Sequence, residues 1–598
     1  MSETPQEIYA DRGASRRAES DRWAALDARL QKVRLAVFAV GIAMLFAVFG
    51  ADALAFRWLA LPSVFFIALL FWHDRVLRSL AQAERATAFY ERGIARLEHR
   101  FAGTGTSGSE HEPAEHAYAR DLDLFGEGSV FERMCLARTR GGEEMLASWL
   151  LSPAKVETVV ARQGAASELR DLLDLREDLC LVGDDVRSGL HPETLRRWGE
   201  APPVGFHTAH RVVAVTMAVI TLTVLGAWLL GSLGPAGPAS FAFVGAAQLA
   251  FAWRIRSRVQ ATVKAVDGPT RDLDLLARLL ERFEREPASS PHLMRLRRTI
   301  ETEGLPPSAQ IARLHRSVEL LDARRNMFFA PLGGLMLWTS QLALQIESWR
   351  LACGPSLGDW IDAISELEAL VSIASTAYEN PSHTFPSFTE NSPCFQASEL
   401  GHPLIPTDVC VTNDLQLDGE RQVLIVSGSN MSGKSTLLRS VGVAAVLAQA
   451  GAPVCARALK LSPLAIGASL HVIDSLQEGT SHFYAEIKRV RLVVELCEGE
   501  LPLLFLLDEI FHGTNSHDRG IGAEAIVKAL IERNAIGLVT THDLALTRVA
   551  EAQGPKAANV HFEDQLEDGQ IAFDYRMREG VVTKSNAIAL MRSVGLPV

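Results

Sequence analysis

Four apolar runs, arranged as two pairs, interrupt the otherwise mixed polar pattern of the N-terminal half of this chain. The first pair covers residues 35–51 and 58–72, and the second covers residues 212–230 and 240–253. A membrane span needs about 20 apolar residues, with a lower limit near 17, so the second run of each pair is marginal. Within each pair only a short turn separates the runs. The pattern predicts two membrane-spanning helical hairpins, with four spans in all.

Basic side chains lie at the outer ends of both predicted hairpins. Arginines and lysines cluster before the first hairpin, and Arg75 and Arg78 follow it. His210 and Arg211 precede the second hairpin, and three arginines follow it within residues 254–258. By the positive-inside rule these ends are cytoplasmic, which predicts a multi-pass protein of a bacterial-type inner (plasma) membrane. The alternative is a soluble protein with two buried helical hairpins.

The remaining pattern divides the chain into helical and mixed regions. Apolar residues recur at three- and four-residue spacing on both sides of the second hairpin, which is typical of amphipathic helices. A Pro- and Ser-rich stretch, "ENPSHTFPSFTENSPC", indicates a boundary before the last region. The predicted order is a cytoplasmic N-terminal tail (1–34), hairpin 1 (35–72), a juxtamembrane helix and flexible linker (73–120), a helical core (121–211), hairpin 2 (212–253), a helical lever or core (254–380) and an α/β domain (396–598).

In the last two hundred residues, short apolar runs typical of β-strands alternate with helical segments. The runs are "VLIVSG", "LLFLLDE" and "IGLVTTHD". Alternation of this kind predicts a parallel sheet with crossover helices. The predicted fold class is therefore mixed, an α-helical region with two transmembrane hairpins followed by a C-terminal α/β domain.

Composition narrows the classes of function. The formal net charge of -12 argues against a surface built for nonspecific nucleic-acid binding. No CxxC spacing occurs, which suits a reducing compartment and predicts neither a metal site nor a disulfide framework. The seven cysteines lie at positions 135, 180, 353, 394, 410, 455 and 497.

The strongest chemical signal is the phosphate-loop pattern "GSNMSGKST" between a predicted strand (423–426) and a predicted helix (435–450). Backbone N–H groups of such a loop face phosphate oxygens at the N-terminus of a helix. Lys434 is expected to reach the β- and γ-phosphates of ATP, and Ser435 to bind Mg²⁺. The predicted nucleotide-binding residues are Gly428, Ser429, Asn430, Met431, Ser432, Gly433, Lys434, Ser435 and Thr436.

Two further strand ends supply candidate catalytic groups. An apolar strand ends in Asp508 and Glu509, which predicts Asp508 as a Mg²⁺ ligand and Glu509 as the group that orients or deprotonates the attacking water. A later strand ends in Thr541 and His542, and His542 is expected to sense the γ-phosphate. The predicted catalytic residues are Glu509, His542 and Lys434.

These motifs and their order resemble the MutS family of ATPases. The resemblance rests on the Asn-Met form of the phosphate loop and on "ELGHPLIP", "GTSHFYAE", "DEIFHGTNSHDRG" and "GVVTKSNAIALMRSVGLP", all in MutS order. It covers about a third of the chain. A fainter similarity covers residues 128–153 and the helices that follow, which look like the start of the MutS core and lever domains.

The resemblance implies an ABC/MutS-type P-loop ATPase that works as a homodimer. Ser481 falls at the signature serine that reaches the nucleotide of the opposite subunit, so each ATP site would be composite. His482 stands where the family usually has Thr, which leaves that part of the contact open. Asn430 would lie near the γ-phosphate, and Asp518 in a loop that crosses the dimer interface.

The chain also departs from mismatch-reading members of the family. Those proteins carry an N-terminal domain whose Phe-x-Glu motif wedges into DNA. Residues 89–91 read "FYE", but they lie on a charged stretch just past the first hairpin, where an amphipathic helix is expected instead. The second hairpin interrupts the region in which a DNA clamp would be expected.

Three functions remain open from the sequence. The preferred one is a membrane-anchored MutS-like ATPase dimer, in which helical levers pass ATP-driven motion to the hairpins or to an unidentified protein partner. The second is a membrane-tethered protein that binds mismatched or branched DNA. The third is an ABC-type transport ATPase, which is disfavoured because four short spans with minimal outer loops offer few polar groups to line a pore.

Overall fold

The described residues form two compact units. The first comprises Met1–Cys135, Ala147–Leu173 and Ser372–Val598, and the second comprises Leu136–Leu146 and Asp174–Val371. The computed structural model describes residues 3–50, 55–182, 192–266, 270–301, 304–322, 330–390, 392–429, 431–470, 482–511, 516–542, 544–567 and 570–582.

The chain is helical up to residue 379. The first helix begins with a capping box, in which the Thr4 hydroxyl accepts from the Glu7 N–H (3.3 Å) and the Glu7 carboxylate accepts from the Thr4 N–H (2.7 Å). The helices in this region are α1 (Pro5–Phe49), α2 (Ala60–Leu97), α3 (Val130–Met134), α4 (Arg140–Leu151), α5 (Val156–Arg170), α6 (Leu173–Val182), α7 (Pro192–Glu200), α8 (Thr208–Leu229), α9 (Gly237–Val266), α10 (Thr270–Arg285), α11 (Pro291–Ile300), α12 (Pro307–Asp322), α13 (Ala330–Leu335), α14 (Trp338–Cys353) and α15 (Leu357–Glu379).

Strands and helices alternate after residue 386, so the mixed fold class, helical and then α/β, is confirmed. The elements are β1 (Ser387–Phe388), β2 (Phe395–Leu400), β3 (Asn413–Leu417), β4 (Val423–Ser427), α16 (Lys434–Ala450), β5 (Ala458–Leu461), β6 (Ala465–Ser469), α17 (His482–Glu495), β7 (Leu503–Leu507), α18 (Ser516–Glu532), β8 (Ile536–Thr541), α19 (Leu544–Gln553), β9 (Ala557–Glu567) and β10 (Gln570–Glu579).

The α/β part contains two sheets. The larger has the strand order β10-β9-β4-β8-β7-β6, and all its neighbouring pairs are parallel except β10 with β9. The smaller has the order β1-β5-β2-β3. The central strands β4, β7 and β8 are buried along their whole length, as expected for strands covered on both faces. Because these strands are parallel, their carboxyl ends meet at one edge of the larger sheet.

Helices α1 and α2 form an antiparallel hairpin in the first unit. The two helices approach closely where Gly93 faces Tyr9, because a Cβ added at Gly93 would lie 2.6 Å from the Tyr9 ring. At the other end of the hairpin large apolar side chains are exposed, including Phe46 (72%) and Phe71 (75%). The hairpin therefore has a packed polar base and an apolar tip that no described part of the first unit covers.

A buried ion pair lies at the base of this hairpin. Arg96 on α2 donates to both carboxylate oxygens of Glu379, at 2.6 and 2.9 Å, and the Tyr9 hydroxyl donates to the same carboxylate at 3.2 Å. Tyr9 is fully buried, and its ring stacks on that of Tyr378 with the ring centroids 5.6 Å apart. These contacts attach the hairpin to the end of α15, immediately before the α/β part. Phe89, in the "FYE" stretch, is buried on α2.

Three helical segments among the described residues are long and apolar enough to cross a membrane. They are Pro5–Phe49, Phe56–Leu97 and Thr208–Leu229. The fourth predicted span lies within α9, which does not meet the same criterion of length and hydropathy. The prediction of two spanning hairpins is therefore not confirmed.

In the second unit, α8 and α9 pair, and a polar contact lies between them. The Thr221 hydroxyl donates to Gln248 Oε1 at 3.0 Å, and Gln248 Nε2 donates to the carbonyl of Leu335 at 2.7 Å. Leu337 and Leu344 pack with Ala214 of α8 in one apolar cluster. The stretch from α13 to α14 thus contacts this helix pair directly.

A buried carboxylate joins the start of α4 to α15 within the second unit. Glu368 accepts from the backbone N–H groups of Arg138 (2.9 Å) and Thr139 (3.3 Å), and from the Thr139 hydroxyl. Burial raises the pKa of Glu368 to about 7, although these hydrogen bonds and the Arg138 charge act in the opposite direction. A fraction of this carboxyl is therefore protonated near neutral pH.

Candidate nucleotide-binding site

The phosphate-loop pattern forms a strand–loop–helix turn at the carboxyl edge of the larger sheet. The loop leaves β4 after Ser427 and enters α16 at Lys434. Gly433 has φ +104° and Met431 has φ +70°. The conformation at Gly433 is one that residues with a Cβ rarely adopt, and it lies directly at the N-terminus of a helix of 17 residues. The loop therefore has the position and backbone shape expected of an anion-binding turn.

Lys434 is buried at the first position of α16. Its Nζ donates to the carbonyl oxygens of Gly428 (3.0 Å) and Ser429 (2.8 Å) and lies 3.7 Å from Glu509 Oε1. Burial lowers the pKa of Lys434, and the carboxylates of Glu509 and Asp508 oppose that shift. The ammonium group thus lies between the loop and the carboxylates at the end of β7, where it can contact an anionic ligand.

The pair Asp508–Glu509 follows directly after β7. The Thr540 side chain links the two residues, because its hydroxyl donates to Asp508 and accepts from the Glu509 N–H at 2.9 Å. Glu509 has φ +46°, which is unusual for a residue with a side chain. This local strain turns the chain sharply at the end of the strand and is typical of functional positions.

His542 follows β8, the strand next to both β4 and β7. Its Nε2 contacts Glu509 Oε1 and lies 3.5 Å from Lys434 Nζ. The three predicted catalytic residues therefore come together, although 108 positions separate Lys434 from His542. Arg519 lines a small cavity with Glu509 and His542 and was not identified from the sequence.

A cavity of about 580 Å³ opens beside the phosphate loop. Tyr575, on β10, lines it and contacts the loop so closely that a Cβ added at Gly433 would lie 3.1 Å from the ring. Asn413 holds the backbone directly after this tyrosine, since its Nδ2 donates to the Tyr575 carbonyl (3.1 Å) and its Oδ1 accepts from the Met577 N–H (2.7 Å). The other lining residues are Leu400, Ile405, Val409, Val411, Met431, Lys434, Ser435, Thr436, Leu437, Ser440, Glu509, Phe562 and Gly433.

The residues present fit a nucleotide with its metal ion. The hydroxyl of Ser432 is buried and has no hydrogen-bond partner within the described part of the chain, so it has a free donor for a ligand in the loop. Ser435 is exposed to the cavity and Asp508 is only partly buried. A hydroxyl and a carboxylate are oxygen donors of the kind that Mg²⁺ prefers. Thr436 also lines the cavity, beside Ser435.

A segment from outside the α/β part packs against this domain within the first unit. The carbonyl of Ala117 accepts from the Ala468 N–H on edge strand β6 at 2.8 Å. Leu122 is fully buried against the P-loop helix, where a Cβ added at Gly442 would lie 2.5 Å from it. Asp121 forms an ion pair with Arg489 of α17. The sequence did not identify this contact, because nothing in the segment 117–123 indicates its partner.

Some predicted site residues lie outside what the structure describes. Asn430 and Ser481 are outside the described residues, so neither the γ-phosphate contact nor the signature serine is located. Asp518 lies on α18 and His482 begins α17, but their side chains are not described. The roles assigned to these residues therefore stay predictions.

Known proteins are similar in sequence to the part of the chain that contains this site. Residues 424–598 match the family described as MutS domain V. Over 252 residues, 42% of the chain, the sequence is 32% identical to "Endonuclease MutS2" of Thermus thermophilus. It is 30% and 29% identical to "DNA mismatch repair protein msh3" of Aspergillus oryzae and of Aspergillus fumigatus. The matches span 32%, 22% and 24% of the length of these relatives, so the chain shares only a minor part of each.

Proposed function

This chain belongs to the MutS family through its C-terminal domain, and from that premise we propose that it is a membrane-anchored ATPase that acts as a dimer. The observation that carries the proposal is the meeting of Lys434, Glu509 and His542 beside the phosphate loop. Three separate strand ends supply these groups at one edge of one sheet. A purely structural role would not require an amine, a carboxylate and an imidazole at the end of adjacent strands.

Each residue has a role in ATP hydrolysis that follows from its position. The loop N–H groups and Lys434 bind the phosphates, and the apolar cavity wall with Tyr575 binds the base. Glu509 orients a water and takes its proton, while His542, in contact with Glu509, fixes the orientation of that carboxylate. Mg²⁺ bound by Ser435 and Asp508 would neutralise part of the negative charge of the phosphates.

The proposed dimer follows from the signature segment. Ser481 directly precedes α17 in the sequence, and the resemblance assigns it to the nucleotide of a second subunit. ATP would then draw two ATPase domains together, and hydrolysis would release them. An ATPase whose site is completed by its partner turns over only in the associated form, so chemistry and association are coupled.

The proposed membrane attachment rests on the exposed apolar tip of the α1–α2 hairpin. Side chains such as Phe46 and Phe71 are suited to lipid rather than to water. The base of the same hairpin is fixed to Glu379 by Arg96 and Tyr9. We infer that this buried contact is the mechanical link through which movement of the ATPase domain reaches the membrane or a protein partner.

Membrane extraction combined with an ATPase assay tests this function. The full chain should sediment with membranes after washes with high salt and with carbonate, and should dissolve only in detergent. The detergent-solubilised protein should hydrolyse ATP in the presence of Mg²⁺. Release by carbonate would contradict membrane anchoring, and absence of hydrolysis would contradict the enzymatic proposal, so the two parts fail separately.

A second candidate function is the binding of mismatched or branched DNA. The names of the relatives favour it, since they describe an endonuclease and DNA mismatch repair proteins. Binding of the solubilised dimer to heteroduplex, branched and fully paired DNA over a salt series decides between the two. Tight binding that prefers distorted DNA supports the DNA role, and weak binding with no preference supports an ATPase with another target.

A further inference from the structure

Two cysteines that are 45 positions apart in the sequence meet beside the nucleotide cavity. Cys410 lies between β2 and β3, and Cys455 lies between α16 and β5. Their sulfur atoms flank the same glycine, because a Cβ added at Gly401 would lie 2.8 Å from Cys410 Sγ and 3.0 Å from Cys455 Sγ. Each thiol also shifts the pKa of the other. Only a residue without a side chain at position 401 allows both sulfurs to approach in this way.

The two thiols are chemically unequal. Interaction with the Cys455 thiol lowers the pKa of Cys410, and the backbone of His402 acts in the same direction. The same contact with Cys410, together with burial, raises the pKa of Cys455. Both residues are only partly buried, so small molecules can reach them. An accessible thiol of low pKa beside a second thiol is the arrangement of a nucleophilic cysteine with a resolving cysteine.

The pair is joined to the proposed ATP site through the chain around Cys410. Its direct neighbours Val409 and Val411 line the nucleotide cavity, as does Ile405 in the same loop. On the other side, Cys455 follows shortly after the P-loop helix α16. A covalent bond between the two sulfurs would therefore link the apolar wall of the cavity to the segment that follows the phosphate-binding helix.

We propose that Cys410 and Cys455 are a modification site at which peroxides form an intrachain disulfide. Cys410 loses its proton, its thiolate attacks one oxygen of hydrogen peroxide, and the O–O bond breaks to leave Cys410 sulfenic acid and hydroxide, which takes up the released proton as water. The sulfur of Cys455 then attacks the sulfenic sulfur and releases a second water. In total two thiols and one peroxide give one disulfide and two waters, and a dithiol reductant reverses the reaction.

The disulfide changes the nucleotide cavity. Bonded sulfurs are about 2.05 Å apart, closer than two thiols in contact, so the loop that carries Cys410 must move toward Cys455. This displaces Val409 and Val411 from the cavity wall, and ATP binds more weakly. This consequence rests on the proposed function, whereas formation of the disulfide does not.

The test uses the full chain in detergent, with hydrogen peroxide as the oxidant. After treatment with a few equivalents of peroxide, peptide mass spectrometry should find the Cys410 peptide joined to the Cys455 peptide, with two hydrogens lost. In Cys455→Ser the oxidation should stop at a sulfenic acid on Cys410 that a 1,3-dione traps. In Cys410→Ser residue 455 should stay a thiol. Cys497→Ser is the matched control, because Cys497 is also partly buried, and it should still form the disulfide.

Two outcomes overturn the proposal. If peroxide oxidises Cys497 as readily as Cys410, or if residues 410 and 455 both remain thiols, the pair is not a modification site. The link to the cavity is measured as the Kd of a fluorescent ATP analogue, which should rise at least about threefold on oxidation and return with reductant. An unchanged Kd in a protein that has formed the disulfide overturns that link. Absence of binding to the reduced protein instead overturns the proposed function.

Discussion

The carboxylate of Asp121 accepts a hydrogen bond of 2.7 Å from the backbone N–H of Leu470, which lies 349 positions further along the chain. Leu470 is the last described residue before the segment that carries Ser481, and Arg489, the ion-pair partner of Asp121, lies on the helix after that segment. Asp121 therefore contacts the chain both before and after the predicted signature serine, Ser481. Under the proposed dimer, Asp121 thus holds both ends of the segment that carries Ser481.

Replacement of Asp121 by Asn tests this positioning role. The amide can still accept from Leu470, but it loses the charge that pairs with Arg489. We expect ATP hydrolysis to fall about tenfold while the Kd for ATP stays within about twofold, since neither Leu470 nor Arg489 lines the cavity beside the phosphate loop. The control is Asp123→Asn, which removes a half-exposed ion pair with Arg439. Loss of this pair should lower the free energy of unfolding by at most about 1 kcal/mol. Equal hydrolysis rates for the two variants would refute the role.

Replacement of Glu509 by Gln tests the assignment of the general base. Glutamine keeps the size and the polar contacts of the side chain but cannot take a proton. We expect hydrolysis to fall about 10²- to 10⁴-fold with ATP binding retained, so that ATP-bound protein accumulates. Glu532→Gln, at an exposed position on α18, is the control and should hydrolyse ATP normally. Normal turnover in the Glu509→Gln protein would show that Glu509 is not the general base.

Tyr575 offers a test of how the base is bound. Loss of the ring in Tyr575→Ala should raise the KM for ATP about tenfold with little change in kcat, because stacking of a base on an aromatic ring contributes about 1–3 kcal/mol. Tyr575→Phe keeps the ring and should behave like the native protein. Steady-state kinetics over a range of ATP concentrations measure both constants. A fall in kcat without a change in KM would argue against the base-binding role.

The raised pKa of Glu368 predicts a pH dependence of stability. Between the ordinary value of 4.5 and the folded value of about 7, the folded chain keeps a proton that the unfolded chain releases. Stability must therefore fall as the pH rises through this window, by an amount on the order of 3 kcal/mol in total. In Glu368→Gln this contribution is absent, so the thermal unfolding midpoint should vary less between about pH 5 and pH 8. Glu301→Gln, at an exposed position, should keep the native pH dependence.

The sequence placed the candidate catalytic residues at strand ends, and the structure brings them together there. Lys434, Glu509 and His542 each follow a short apolar strand. Because parallel strands bring their carboxyl ends to one edge of a sheet, the predicted strands were enough to group these three residues. Tyr575 was missed because it lies in β10, far along the chain from the loop, within the irregular stretch between Phe573 and Met577. No local pattern predicts such a contact.

Elsewhere, the sequence did not predict contacts between segments that are far apart along the chain. The cysteines at 410 and 455 have no motif spacing, and only the fold brings them to Gly401. Residues 5–34, predicted as part of a tail, form the first two thirds of α1. They pack on the part of α2 that follows the apolar runs in the sequence. The base of that hairpin is fixed by Glu379, whose partner Arg96 is 283 positions away. Contacts between residues so far apart along the chain are set by tertiary packing, which a single sequence does not reveal.

Subunit complementation tests the central claim, a composite ATP site in a dimer. Lys434→Ala removes the phosphate contact within a subunit, and Ser481→Ala removes the group predicted to act on the partner's nucleotide. Each variant alone should be inactive. When equal amounts of the two full-length proteins are mixed and allowed to exchange subunits in detergent, half of the dimers are mixed and each contains one intact site. The mixture should regain about one quarter of the native ATPase rate. No recovery, with subunit exchange verified by differently tagged chains, would contradict a site shared between two subunits.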